Sequence, residues 1–169
     1  MMLAVAIGCL VFVPMLLEAR RSAVNERTLR AAGAREPAGD VYPVMQVAYP
    51  LCFLLPIAEA WVRGHEWNAT ATTGAAVFVA AKALKYWAIA TLGTRWTFRV
   101  LVPPSSTRIV AGPYRVLRHP NYVAVAGELI GVALMTRAVL SGPVAVAAFV
   151  ALMLLRIRTE EQALGSRRG

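Results

Sequence analysis

The sequence predicts an all-α integral membrane protein of about five transmembrane helices, ending in a helical hairpin. Three observations carry this. Apolar residues make up 58% of the 169-residue chain and charged residues only 16%, against about 25% charged in typical soluble proteins. The mean hydropathy is +0.56. The apolar residues fall into separate runs, and each run approaches the roughly 20 residues that a membrane helix needs.

The runs can be taken in order. Met1 to Leu17 meets the lower limit of about 17 residues for a span. It has neither a basic leader nor a small-residue cleavage site, and Glu18, Arg20 and Arg21 follow it directly. It therefore reads as a retained first helix and not a signal peptide. Glu18 to Asp40 is polar and arginine-rich, and GAREPAGD breaks any helix at its end. Val41 to Val62 is the second span, with Pro43, Pro50 and Pro56 as kink sites. Thr70 to Gly93 is the third, rich in the Ala and Gly that allow close helix packing. A long polar segment, Thr94 to Asn121, separates it from two short apolar runs, Tyr122 to Thr136 and Val139 to Leu155. The break between those two is so short that a hairpin is expected. The tail reads as helical through RIRTEEQAL.

The basic residues give an orientation. Five lie after the first span, five after the third and four in the tail, and all three segments fall on one side of the membrane. Only Arg63 and Arg137 fall on the other side. The positive-inside rule then puts the N-terminus outside and the tail in the cytoplasm of a multi-pass cell-membrane protein. The net charge of +9 is expected to meet anionic lipid headgroups and not nucleic acid, because the arginines sit between apolar runs. Cys9 and Cys52 lie inside apolar runs as buried free thiols, with no Cys/His cluster, so no metal site is expected.

Four charged residues, Glu59, Lys82, Lys85 and Glu128, fall within the spans. Each costs about 2.5–3.5 kcal/mol at the bilayer centre on insertion scales, so each should face protein or a wet cavity. They fit a lined pocket, a structural ion pair or, for Lys85, snorkelling to the interface.

The stretch GPYRVLRHPNY, residues 112–122, is polar, basic and turn-rich between apolar segments. Pro120 keeps His119 extended, and Gly112-Pro113 makes a turn. Tyr114, Arg118, His119, Asn121 and Tyr122 are thereby presented from a bent loop at the start of a membrane helix. Its free amides favour an anion; an ordinary interfacial loop of aromatic and basic anchors also has this composition. In the tail, Arg156 and Glu160 are spaced i,i+4 and share a helix face. Arg156 directly follows an apolar run. A guanidinium at that depth can hold a lipid-borne carboxylate or phenolate, and Glu160 can hold a cation from the water side.

GPYRVLRHPNY, two short spans and then RIRTEEQAL together resemble the isoprenylcysteine carboxyl methyltransferase family. The resemblance runs from ALKYWAIATLGTRW to the EExxL of the tail. VNERTLRAAGAREPAGDVYPVM in the N-terminal half is similar to the small bacterial branch found beside polyketide synthases of alkylpyrone and alkylresorcinol type. The resemblance implies a single domain over residues 1–169, with its catalytic part at about 82–165. It implies an S-adenosyl-L-methionine-dependent O-methyltransferase with a cytosolic cofactor pocket and a lipophilic acceptor. Motif by motif, Tyr114, His119, Pro120, Asn121 and Tyr122 would line the cofactor pocket, Thr107, Arg108 and Ile109 would lie along the cofactor, and Glu160 would bind it from the tail. Arg156 would face the acceptor's reacting group, with Arg158 its rival if RTEE is aligned one step differently. The RHPxY element alone also resembles membrane sterol reductases, which makes an NADPH-dependent reductase the alternative.

Overall fold

The computed structural model describes residues 2–36, 41–64, 66–104 and 109–165, with side chains through residue 159. The chain folds into five helices: α1 (Met2–Ala31), α2 (Tyr42–Arg63), α3 (Ala69–Leu92), α4 (Pro120–Thr136) and α5 (Ser141–Gly165). Short 3-10 turns at Gly93–Arg95 and Gly112–Arg115 flank the α3–α4 connection. Among the described residues the only strand-like pairing is one antiparallel bridge between Arg35 and Val102. The fold is all-α, as the sequence predicts.

Four of the helices, α1, α2, α3 and α5, are long and apolar enough to cross a membrane, and α4 is a shorter apolar helix. Its 17 residues extend about 26 Å, slightly less than the roughly 30 Å of a hydrocarbon core. It still runs the length of the bundle. Its first turn lies beside Trp96, whose indole donates to Asn121 Oδ1 at 3.4 Å. Its last turn leads into α5, whose Ser141 N–H and hydroxyl both donate to Glu59 Oε2 near the end of α2, at 2.8 and 2.6 Å. Glu59 thus serves as the cap of α5 and also pairs with Arg63 at 2.9 Å. It is a structural group at the end of the bundle opposite the polar segments.

α1 runs on past the apolar span and ends at Ala31, just before GAREPAGD, as the sequence predicts. Glu18, Ser22, Asn25 and Leu29 are buried along it, so one face of this polar extension packs as tightly as the apolar part. Cys9 is exposed and Cys52 buried, which corrects the expectation of two buried thiols. Many large apolar side chains face outward, Val13, Leu17, Val47, Leu54 and Val79 among them, as a lipid solvent requires.

α3 and α4 pack most closely, and the reason is the glycines. A Cβ at Gly131 would lie 2.8 Å from Phe78 Cβ, and one at Gly74 would lie 2.7 Å from the Gly131 oxygen. A Cβ at Gly127 would lie 2.9 Å from that of Ala81. Only small residues let two backbones approach this far, which is how helices associate where lipid removes the hydrophobic driving force.

Candidate active site

The close approach of α3 and α4 has an electrostatic consequence. It brings Lys82 and Lys85 of α3 against Glu128 of α4, while α1 adds Glu18. Lys82 Nζ lies 2.8 Å from Glu18 Oε1 and 3.3 Å from Glu128 Oε1; Lys85 Nζ lies 2.6 Å from Glu18 Oε2 and 3.4 Å from Glu128 Oε2. Lys85 also donates to the hydroxyl of Tyr49 on α2 at 3.0 Å. Two cations and two anions thus meet; Glu18 is 3% exposed, Lys85 and Glu128 are 1% exposed each, and Lys82 is half-buried at the edge. A lone ion there would be prohibitive, and a closed quartet removes most of that cost. Of the readings open for Lys85, the ion pair holds: the side chain does not snorkel, and it also lines the cavity described next. Glu18 was not expected here, because its position just past an apolar run reads as interfacial.

Beyond the quartet, at the end of the bundle carrying the polar segments, lies a cavity of about 710 Å³, within the usual range for ligand pockets. The three basic segments that the sequence places on one face meet around it. Asn25 of α1 donates to the carbonyls of Gly93 and Trp96 at 3.3 and 2.7 Å. The Phe98 N–H donates to Ser22 Oγ at 2.8 Å. The Arg35–Val102 bridge ties the α1–α2 connection to the same strap, with N···O distances of 3.2 and 3.0 Å. From α5, Arg156 donates to the Phe98 carbonyl. Segment 96–102 is therefore a wall held from both ends of the chain.

The outer part of this wall is ionic. Arg99 pairs with Glu36 at 2.8 Å, and Glu36 also takes Arg30 at 2.7 Å. Partial burial pushes the Glu36 carboxyl up, but the hydrogen bonds from Arg30 and Arg99 outweigh it and hold it below the ordinary glutamate value. Arg99 also stacks over the Tyr42 ring at 4.3 Å.

The cavity collects much of the sequence-predicted site. Ile109, Tyr114, His119, Asn121, Tyr122 and Arg156 all line it. The GPY turn that delivers Tyr114 has Gly112 at φ +52°, and a Cβ there would meet Thr91 and Trp87 of α3 at 2.4 and 3.1 Å; only glycine fits this close turn. His119 and Tyr122 set their rings 5.7 Å apart at 34°. Pro120 is buried as the first residue of α4 but is not among the lining residues. It fixes the helix start instead. Thr107 and Arg108 lie outside the described residues, as does the side chain of Glu160, whose backbone continues α5 one turn past Arg156. One expectation is corrected. Pro120 has no N–H, and the amides of Tyr122 and Val123 donate back to the His119 carbonyl at 3.1 and 3.3 Å, so the start of α4 offers an anion fewer amides than expected.

The two tail arginines separate by geometry. Arg156 is 6% exposed, sets Nη1 3.6 Å from Met45 Sδ and lines the cavity. Arg158 is exposed and does not line it. The sequence reading missed Tyr42, Met45, Tyr49 and the 96–102 wall, all of which line the same space. On α2 the signal was present as a helical stripe at positions 42, 45, 46 and 49.

No solved structure matches the chain. The chain is 31% identical over 140 residues to the uncharacterized protein YpbQ of Bacillus subtilis (strain 168), which covers 83% of each chain. It is 26% identical over 141 residues to an uncharacterized protein of Haemophilus influenzae, covering 83% of this chain and 82% of that one. Residues 74–166 match the isoprenylcysteine carboxyl methyltransferase (ICMT) family, a stretch that contains most of α3, the GPY turn, α4 and Arg156. The chain belongs to the ICMT family and is a multi-pass membrane methyltransferase.

Proposed function

We propose that this chain moves a methyl group from S-adenosyl-L-methionine to an oxygen of a lipophilic, membrane-partitioned acceptor. The observation that carries this reading is one cavity lined both by the start of α4 and by Arg156 of α5. The donor set suits the cofactor. Aromatic faces from Tyr114, Tyr122 and Trp96 favour a sulfonium cation, and His119 and Asn121 supply polar contacts beside them. When bound, the cofactor supplies an electrophilic methyl group.

In this reading Ile109, Tyr114, His119, Asn121 and Tyr122 hold the cofactor. Thr107, Arg108 and Glu160 join them by motif, and Pro120 acts by starting α4. Arg156 holds the acceptor oxygen as an anion, aligned for in-line displacement, so that positioning supplies most of the rate. A carboxylate acceptor needs no base. A phenol or enol gives up its proton to a general base as the C–O bond forms. The acceptor is a polyketide lipid such as an alkylpyrone or alkylresorcinol, or an isoprenylcysteine-like carboxylate. Residues 1–169 work as one domain with the catalytic part at about 82–165. The arginine distribution supports an external N-terminus and a cytoplasmic site.

The test is calorimetry of the purified protein with S-adenosylmethionine, followed by a methyl-transfer screen on lipid extracts read by mass spectrometry. Absence of cofactor binding sinks the proposal. Thermal stabilisation by NADPH with S-adenosylmethionine inert would turn the reading to a reductase.

A further inference from the structure

The inner end of the cavity carries a polar group that methyl transfer, as described above, leaves unused. Tyr49 and Lys85 both line it. The Lys85 ammonium has three N–H donors and no acceptor; it donates to Tyr49 at 3.0 Å and Glu128 at 3.4 Å and forms an ion pair with Glu18 at 2.6 Å. Lys82 balances the second carboxylate charge. The quartet is therefore balanced in charge and has no excess positive charge to hold an anion.

What it does present is a hydroxyl. Lysine can only donate, so Tyr49 Oη is the acceptor in the Lys85 bond, and its own proton is directed elsewhere. Among the described residues no hydrogen bond from Tyr49 competes with the cavity for that proton. The ring is fixed as well, edge-on to Phe53 at 5.3 Å and tilted against Phe149 at 5.9 Å. A hydroxyl that lines the cavity on a fixed ring, accepts from an ammonium and keeps its own proton to give is a recognition element for an uncharged oxygen.

Its depth relative to Arg156 follows from the helices. Tyr42, Met45 and Tyr49 lie on one face of α2. Arg156 touches the first two, at 5.9 Å from the Tyr42 ring and 3.6 Å from Met45 Sδ. Tyr49 is one turn further in, about 6 Å along the axis. Phe149, its neighbour on α5, lies seven residues before Arg156, about 10 Å along that axis. Two hydrogen bonds of about 2.8 Å each with a small ring between them cover this separation.

We propose that the Tyr49 hydroxyl donates to a second, uncharged oxygen of the acceptor, so that the acceptor has a compact head with two oxygen functions: the reacting one at Arg156 and the other at Tyr49. The assignment of the first oxygen rests on the methyl-transfer reading; the second rests on the quartet alone. A fatty acid or a simple lipid carboxylate, with both oxygens on one carbon, cannot reach both groups.

The experiment compares pentadecylphenol, with one ring hydroxyl, and pentadecylresorcinol, with two, on the full chain in nanodiscs, with affinity read from tryptophan fluorescence. Wild type should bind the resorcinol about five- to tenfold tighter, the size of one net hydrogen bond. Tyr49→Phe keeps the ring contacts and should bind the two equally, with the phenol affinity unchanged; it takes an acceptor from buried Lys85, so its melting temperature should fall while the fold is retained. Comparing the ratio between the two proteins cancels the different partitioning of the probes. A wild type that does not discriminate, a Tyr49→Phe variant that still does, or one that loses phenol binding as well overturns the inference. Failure of S-adenosylmethionine to bind would end the methyl-transfer reading and leave this discrimination measurable, so the two fail separately.

Discussion

The guanidinium of Arg156 donates to the main-chain oxygen of Phe98, fifty-eight residues earlier. The helix that closes the chain thereby holds the wall that lies between α3 and α4. Arg156 has two duties in this arrangement, one towards the wall and one towards whatever enters the cavity.

Replacing Arg156 should separate these from cofactor binding. Arg156→Ala is expected to lower kcat/KM for methyl transfer about 30- to 150-fold, about 2–3 kcal/mol for a lost charged hydrogen-bonding partner, with S-adenosylmethionine affinity within about twofold of wild type by calorimetry. Arg158→Ala, at an exposed position, should match wild type. Equal losses of turnover and cofactor affinity in Arg156→Ala would mean that the role is misassigned.

His119 is expected to act on the cofactor. His119→Ala should weaken S-adenosylmethionine binding about tenfold, about 1.4 kcal/mol, and Glu160→Ala should do the same from the other side of the site. Calorimetry reads both directly. Unchanged affinity in both variants would remove the 119–122 segment and the tail from the cofactor.

The quartet predicts an asymmetric stability map. Lys85→Met strands Glu18 and Glu128 on a single remaining cation and should destabilise the fold by about 3–5 kcal/mol, the usual cost of breaking a buried pair from one side. The triple change of Lys85, Glu18 and Tyr49 to Met, Gln and Phe should recover much of that loss. Melting in detergent decides it, and a Lys85→Met protein as stable as wild type would contradict the buried geometry.

The α3–α4 contact should tolerate nothing larger than glycine. Gly131→Ala forces a Cβ 2.8 Å from that of Phe78, and overpacking of this kind costs about 1–3 kcal/mol. Gly8→Ala meets nothing within 4 Å and serves as the control in the same melting assay.

Acid should loosen the strap around the cavity. Glu36 has its folded-state pKa depressed by Arg30 and Arg99 despite partial burial. Its contribution is therefore complete above the unfolded glutamate pKa of about 4.3 and is lost as pH falls through the lower folded value. The melting-temperature gap between wild type and Glu36→Gln should be present at neutral pH and shrink towards zero in acid. A gap that does not depend on pH would assign the effect to packing instead.

Much of this molecule can be read from its sequence because a membrane imposes simple rules. Runs of apolar residues place the helices, arginine clusters place the polar segments on one face, and GPYRVLRHPNY with Arg156 marks two walls of the cavity. Glu18 could not be placed in the same way. A charge just beyond an apolar run normally sits in the headgroups, and only the fold brings it between Lys82 and Lys85. The 96–102 wall was hidden for a different reason. Its hydrogen bonds run from main-chain atoms to Ser22, Asn25 and Arg156, and such bonds leave no pattern in residue types.

The quartet also bears on how the chain enters the bilayer. Lys82 and Lys85 leave the ribosome with only Glu18 made to meet them, and their charges balance only when Glu128 follows. The four charges of the quartet therefore cancel only when α1, α3 and α4 are all in place. α5 arrives afterwards with Arg156 and seals the wall at Phe98. A chain without α5 lacks Arg156 and with it the hydrogen bond that holds the wall at Phe98.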